Sequence, residues 1–187
     1  IRQCYWPLLK LPRDLGIPIG IELSGYTLEV INDISSEWCE ELSALIKEGM
    51  CELIGCGYTQ VIGPMVPHQI TTANLEIGNQ IYQRILNTKP AIALLNEQAF
   101  SKGMVQLYKD ADFQAIIMEW NNPARVNPQW GEEIGFLPQQ AMGNNNSSVD
   151  LIWNKSIGFQ KFQRYVHGEI ELNDLLDFIC ENKSQNN

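Results

Sequence analysis

The stretch "AIALLNEQAFSKGM", residues 91–104, decides how the chain is read. Its apolar run is short enough for a buried strand, and it stops abruptly at Asn96-Glu97-Gln98. A helical pattern follows over residues 102–109. A carboxylate at the end of a buried strand can cap the next helix, pair with a cation or take part in chemistry. The spacing leaves all three open for Glu97.

The same unit recurs on either side. "GIPIGIEL" (16–23), "MCELIGCGY" (50–58), "FQAIIMEW" (113–120) and "VDLIW" (149–153) are further runs rich in Ile, Leu and Met. Each is nearly continuous in apolar character, as strands covered on both faces are. Helical segments alternate with them. "SSEWCEELSALIKEG" sets Trp38, Leu42, Leu45 and Ile46 on one face, with Ser35 or Ser36 to start it and Gly49 to end it. A second helix is expected from Thr72, with Ile77, Ile81 and Ile85 as its apolar stripe. Two more are expected over "GFQKFQRYVHG" and "IELNDLLDFICEN". Alternating strands and helices predict an α/β fold with a parallel sheet, built from about five βα units. Five strands do not close a barrel, and the opening "IRQCYWPLLKL" reads as the middle of a helix, so the chain is expected to be part of a longer one. Residues 1–181 are read as part of one barrel domain and 182–187 as a polar tail. Residues 121–148, rich in Pro, Gly and Asn, are expected to form a lid in which Trp130 and Phe136 pack and the "NNNSS" end is mobile.

Polar residues gather where strands end. Glu22, Tyr58-Thr59-Gln60, Glu97, Glu119-Trp120 and Trp153-Asn154 all lie at or just past a C-terminal strand end. In barrels of this type those ends converge on the ligand site. Hydrolysis at a glycosidic carbon needs two carboxyl groups, one to attack or activate water and one to protonate the leaving oxygen. Glu97 suits the first task, while Glu22 and Glu119 suit binding and orienting a ligand or holding Glu97 in place. Tyr58, Trp120 and Trp153 offer faces on which a sugar ring can stack, although such residues also serve as core.

Composition narrows the alternatives. The 187 residues carry 13 basic and 22 acidic side chains, a formal charge of −9, which disfavours nucleic acid. No apolar run reaches membrane length and no signal peptide is visible, so no membrane partner is expected. The five cysteines, Cys4, Cys39, Cys51, Cys56 and Cys180, contain no C-x-x-C pair and fit a reducing cytoplasm. His68 and His167 stand far apart, so no metal and no other cofactor is expected. No nucleophile elbow, P-loop or dinucleotide fingerprint occurs.

The succession of "CYWPLLKL", "IPIGIELSGYTLEVI", "LIKEGMCELIGCGYTQVIGPMVP", "NLEIGNQIY", "LLNEQAFSKGM", "FQAIIMEW" and "DLIWNKSIGFQ" resembles glycoside hydrolase family 57. The resemblance implies an incomplete (β/α)7 barrel and a retaining enzyme of hydrolysis or transglycosylation on α-linked glucans or related oligosaccharides. Glu97 matches the glutamate of the family's W-x-P-E segment and by that match is the nucleophile. Asn96 stands where the family usually has Pro, and the upstream Trp is absent. Gln60 stands in place of a His in the segment matched by "YTQVIGP". The family's general acid, an aspartate in a D-x-E type segment, has no counterpart here. Asp150 opens its strand, so it faces away from the site, and the acid is expected outside this chain. A non-catalytic carbohydrate-binding relative, or a metal-dependent polysaccharide deacetylase on a related barrel, are the alternatives.

Overall fold

The computed structural model describes residues 1–184. In chain order these form α1 (Tyr5–Leu15), β1 (Ile19–Leu23), α2 (Gly25–Ile34), α3 (Ser36–Lys47), β2 (Cys51–Gly55), α4 (His68–Leu86), β3 (Ile92–Leu94), α5 (Lys102–Asp110) and β4 (Ala115–Glu119). They continue with α6 (Asn121–Val126), β5 (Gln139–Met142), β6 (Ser148–Asn154), α7 (Ser156–Val166) and α8 (Leu172–Ser184). The strands make one mostly parallel sheet of six, in the order β1-β2-β3-β4-β6-β5. β1 through β4 are parallel neighbours, and β5 pairs antiparallel with β6. The chain divides into two compact units, residues 1–118 with 139–152, and residues 119–138 with 153 onward.

In the first unit, the core cluster joins Ile21, Leu23, Cys51 and Leu53 of the strands to Leu28, Trp38, Leu42 and Tyr82 of the helices. Trp38 is wholly buried and meets Tyr5 edge-on at 5.8 Å, which ties α1 to α3. Cys39, Cys51 and Cys56 are buried free thiols, and burial pushes the first two up to about 11.

Of the opening stretch, Tyr5 to Leu11 lie in α1 as expected, preceded by a turn in which the Ile1 carbonyl accepts the N–H groups of Cys4, Tyr5 and Trp6. Several expectations change. α4 begins at His68, not Thr72, and its buried face is Thr71, Asn74, Leu75, Gly78, Asn79, Ile81, Tyr82 and Leu86. Ile77 of the expected stripe is exposed. The cause is close approach of this helix to backbone, which selects small and hydrogen-bonding residues over branched ones.

Residues 121–148 carry more regular structure than the composition suggests. They hold α6, a 3-10 turn (Glu132–Phe136) and β5. The Asn run makes the β5–β6 hairpin turn, with Asn145 and Asn146 at φ 55° and 59° and Gly143 N donating to Ser147 O at 2.8 Å. Of the expected tail, 182–184 belong to α8, and 185–187 lie outside the described residues. Among the described residues, no helix is long and apolar enough to cross a membrane.

Candidate active site

Because β1, β2 and β3 run parallel, their C-terminal ends share one edge of the first unit, and Glu22, Tyr58, Gln60 and Glu97 lie along it. β3 is only three residues long, but Leu95 prolongs its ladder by donating to Ile117 O at 3.2 Å. The chain then enters a 3-10 turn over Asn96–Gln98, closed by Gln98 N to Leu95 O at 3.0 Å and Ala99 N to Asn96 O at 3.2 Å. Glu97 sits at φ 53°, ψ 19° and Gln98 at φ 55°, two successive non-glycine residues in the left-handed region. Each such residue costs roughly 1–3 kcal/mol and persists only where its surroundings enforce it. Leu95 and Asn96 are buried, whereas Glu97 is exposed. Among the described residues nothing donates to the Glu97 carboxylate, and α5 starts only at Lys102, with Ser101 at its N-cap position. Glu97 is therefore neither a helix cap nor half of an ion pair.

Asn96 ties this turn to the neighbouring loop. Its buried amide Nδ2 donates to Cys56 O at 3.0 Å and to Val61 O at 3.1 Å, the two ends of the loop after β2. Asn74, from α4, holds the middle of that loop. Its Oδ1 accepts from Thr59 N at 2.8 Å, its Nδ2 donates to Thr59 O at 3.0 Å, and its carbonyl accepts from Tyr58 N at 2.8 Å. Sequence reasoning assigned neither asparagine a role. The signal was present, since polar residues on a buried helix face or just past a strand end need partners.

Glu22, at the end of β1, has one carboxylate oxygen buried without a hydrogen-bond partner. Burial and the nearby Glu22 push the Cys56 thiol well above its usual range. Tyr82 reaches the same place from α4. Its hydroxyl faces Leu23 O and Gly57 O (3.1 Å) as acceptors and receives Cys56 N at 3.4 Å, joining the ends of β1 and β2. Gln60 is exposed. Tyr58 turns toward α2: its ring meets Tyr26 edge-on at 6.1 Å, and its hydrogen bond with Glu29 raises its pKa.

In the second unit, Glu119 and Trp120 follow β4, and Trp153 ends β6. The buried Glu119 carboxylate is saturated by Asn121 N, Asn122 N (2.8 Å) and Ser156 Oγ (2.8 Å). It caps α6 and braces α7. Glu119→Ala is expected to cost about 1–2 kcal/mol, read as a fall of a few degrees in the thermal midpoint.

Trp120 is 5% exposed, stacked with Trp130 at 6.0 Å and edge-on to Trp153 at 5.3 Å. Gly135 lies against its indole, so Trp120 offers no open face to a sugar. Trp153 is half-buried, with its Nε1 unpartnered. Trp130 and Phe136 do pack as expected, and Lys155 Nζ stands 3.5 Å above the Phe136 ring. Asp150 is exposed within β6. His68 and His167 are both exposed, and among the described residues no three His, Cys, Asp or Glu side chains come together as a metal site.

An alpha-amylase of Pyrococcus furiosus is 20% identical over 118 residues, covering 63% of this chain and 18% of that protein. The structure of 4-alpha-glucanotransferase from Thermococcus litoralis matches with a TM-score of 0.73 at 17% identity, over 87% of this chain and 24% of that one. The exo-type maltose-forming amylase of Pyrococcus sp. ST04 matches with a TM-score of 0.70 at 12% identity, over 92% and 28%. At these identities the likeness is one of fold, an incomplete TIM-like barrel. The chain thus spans 18 to 28% of the length of these relatives. The sequence profile described as glycosyl hydrolase family 57 matches residues 5–180, nearly the whole chain, and the protein belongs to that family.

Proposed function

We propose that this chain is the nucleophile-bearing part of a retaining glycoside hydrolase or transglycosylase acting on α-linked glucans or related oligosaccharides. One observation carries the reading: Glu97 presents an exposed carboxylate, without a partner among the described residues, from a strained turn at the end of β3. Strain of this kind gathers at functional sites. The amylase and glucanotransferase among its relatives support the substrate class.

Glu97 attacks the anomeric carbon, and the glycosidic oxygen leaves with a proton from a second carboxyl group. That acid is an aspartate beyond this chain, about 5–5.5 Å from Glu97 if the enzyme retains configuration. The same group then activates water or an acceptor sugar, which releases the glycosyl-enzyme. Glu22 and Gln60, on the same edge of the first unit as Glu97, bind sugar hydroxyls, and Tyr58 lines that edge beside them. Within the second unit, Glu119 and Trp120 serve the frame and not the ligand. The free thiols suit a cytoplasmic setting.

Full-length protein incubated with 5-fluoro-α-glucosyl fluoride is expected to gain one glycosyl mass on the peptide containing Glu97. A label on a different carboxylate would overturn the assignment.

A further inference from the structure

We propose that Asn96 is a positioning residue: its side-chain amide locks the loop carrying Tyr58 and Gln60 onto the turn carrying Glu97. The inference rests on Glu97 being the nucleophile, and it adds the means by which that nucleophile and one wall of its site are held in common register.

An amide NH2 group has two hydrogens, and both are used. One points to Cys56 O and the other to Val61 O, so a single side chain brackets the loop at both ends. Asn96 is 9% exposed and Asn74 is 8% exposed; the bond to Cys56 O is buried, and those to Val61 O and Thr59 are part-buried. Shielded bonds are the ones whose loss leaves a bare carbonyl, a larger penalty than losing a bond at the surface. Asn74 fixes the loop at Thr59, and Asn96 fixes it to the residue bonded directly to Glu97. The left-handed pair Glu97-Gln98 follows immediately, where the backbone on its own would relax. The amide is thus placed both to hold the strained conformation and to set the distance between Gln60 and Glu97. Displacement by about 1 Å in such a constellation can cost 10²-fold in rate.

The test uses full-length protein carrying Asn96→Ala or Asn96→Asp. The second is nearly isosteric but turns a carboxylate toward the two carbonyls. kcat and KM on maltooligosaccharides, and the rate of adduct formation with the fluoride, are measured well below the thermal midpoint. Both variants are expected to fold, and kcat and the labelling rate to fall together by about ten- to a hundredfold, with a smaller change in KM. If wild type labels at Glu97 while both variants keep kcat within about twofold, the positioning role is overturned. It is also overturned if neither variant unfolds cooperatively, because Asn96 then holds the fold and not the site. Wild type that fails to label at Glu97 instead sinks the nucleophile assignment on which this inference rests.

Discussion

Full-length protein carrying Glu97→Gln is expected to lose at least about a thousandfold in kcat while its thermal midpoint stays within about two degrees of wild type. The two halves of this result have separate causes. The amide is the same size as the carboxylate but cannot displace a leaving group at the anomeric carbon. Stability is unaffected because the Glu97 side chain is exposed and has no partner to lose among the described residues. Exposed substitutions away from buried networks ordinarily stay within about 0.5 kcal/mol. Glu97→Gly sharpens the case, since glycine adopts φ 53° without penalty. That variant is expected to be inactive yet more stable than wild type by about 1 kcal/mol, the signature of strain retained for function. Activity and stability falling together in Glu97→Gln would place the residue in the fold and end the nucleophile assignment.

The largest effect on stability is expected from Gly78→Ala. A methyl group at this position in α4 would stand 2.6 Å from the Gly57 carbonyl carbon, 2.8 Å from the Gly57 Cα and 2.8 Å from Tyr58 N. All three are backbone atoms, so no side chain can swing aside. Alanine regains about 1 kcal/mol of helix propensity over glycine, but overpacking of this kind costs about 3 kcal/mol. The net loss, about 2 kcal/mol, corresponds to a fall of about 4–8 °C in a protein of this size. Since the displaced atoms begin the Tyr58-Gln60 loop, KM for oligosaccharide should rise in the same variant. Gly158→Ala is the control. It lies in α7 with nothing within 4 Å of the added methyl, so it should stabilise by about 0.5–1 kcal/mol. If Gly78→Ala matched the control, the close approach of α4 to the loop would be disproved.

The sheet was legible because buried parallel strands advertise themselves as apolar runs, and β1, β2, β3, β4 and β6 all do. β5 was not, because "QQAM" is short, lies at an edge and carries only Ala141 into the interior. α4 misled for a related reason. Periodicity finds faces that bury branched side chains, whereas the inner face of α4 meets backbone through Gly78 and Asn74. At the candidate site, the position of Glu97 could be read from its place at a strand end. Its left-handed backbone could not, since nothing local demands it and the Asn96 bonds beside it reach residues 35 and 40 positions away. Glu119 was misjudged as a ligand-facing group because a strand-end carboxylate looks the same in sequence whether it meets a sugar or two backbone N–H groups.

The order of the first four strands in the sheet repeats their order in the chain, and the buried members of the main core cluster run only from Leu9 to Leu86. During synthesis, therefore, β1, β2 and the four helices that cover them are complete before β3 leaves the ribosome. The strand that delivers Glu97 docks against an edge that is already in place. Contacts made in this sequence need little loop closure at each step, so the residue with the tightest geometric demands arrives on an edge already formed by β1 and β2, and β4 then closes its other side.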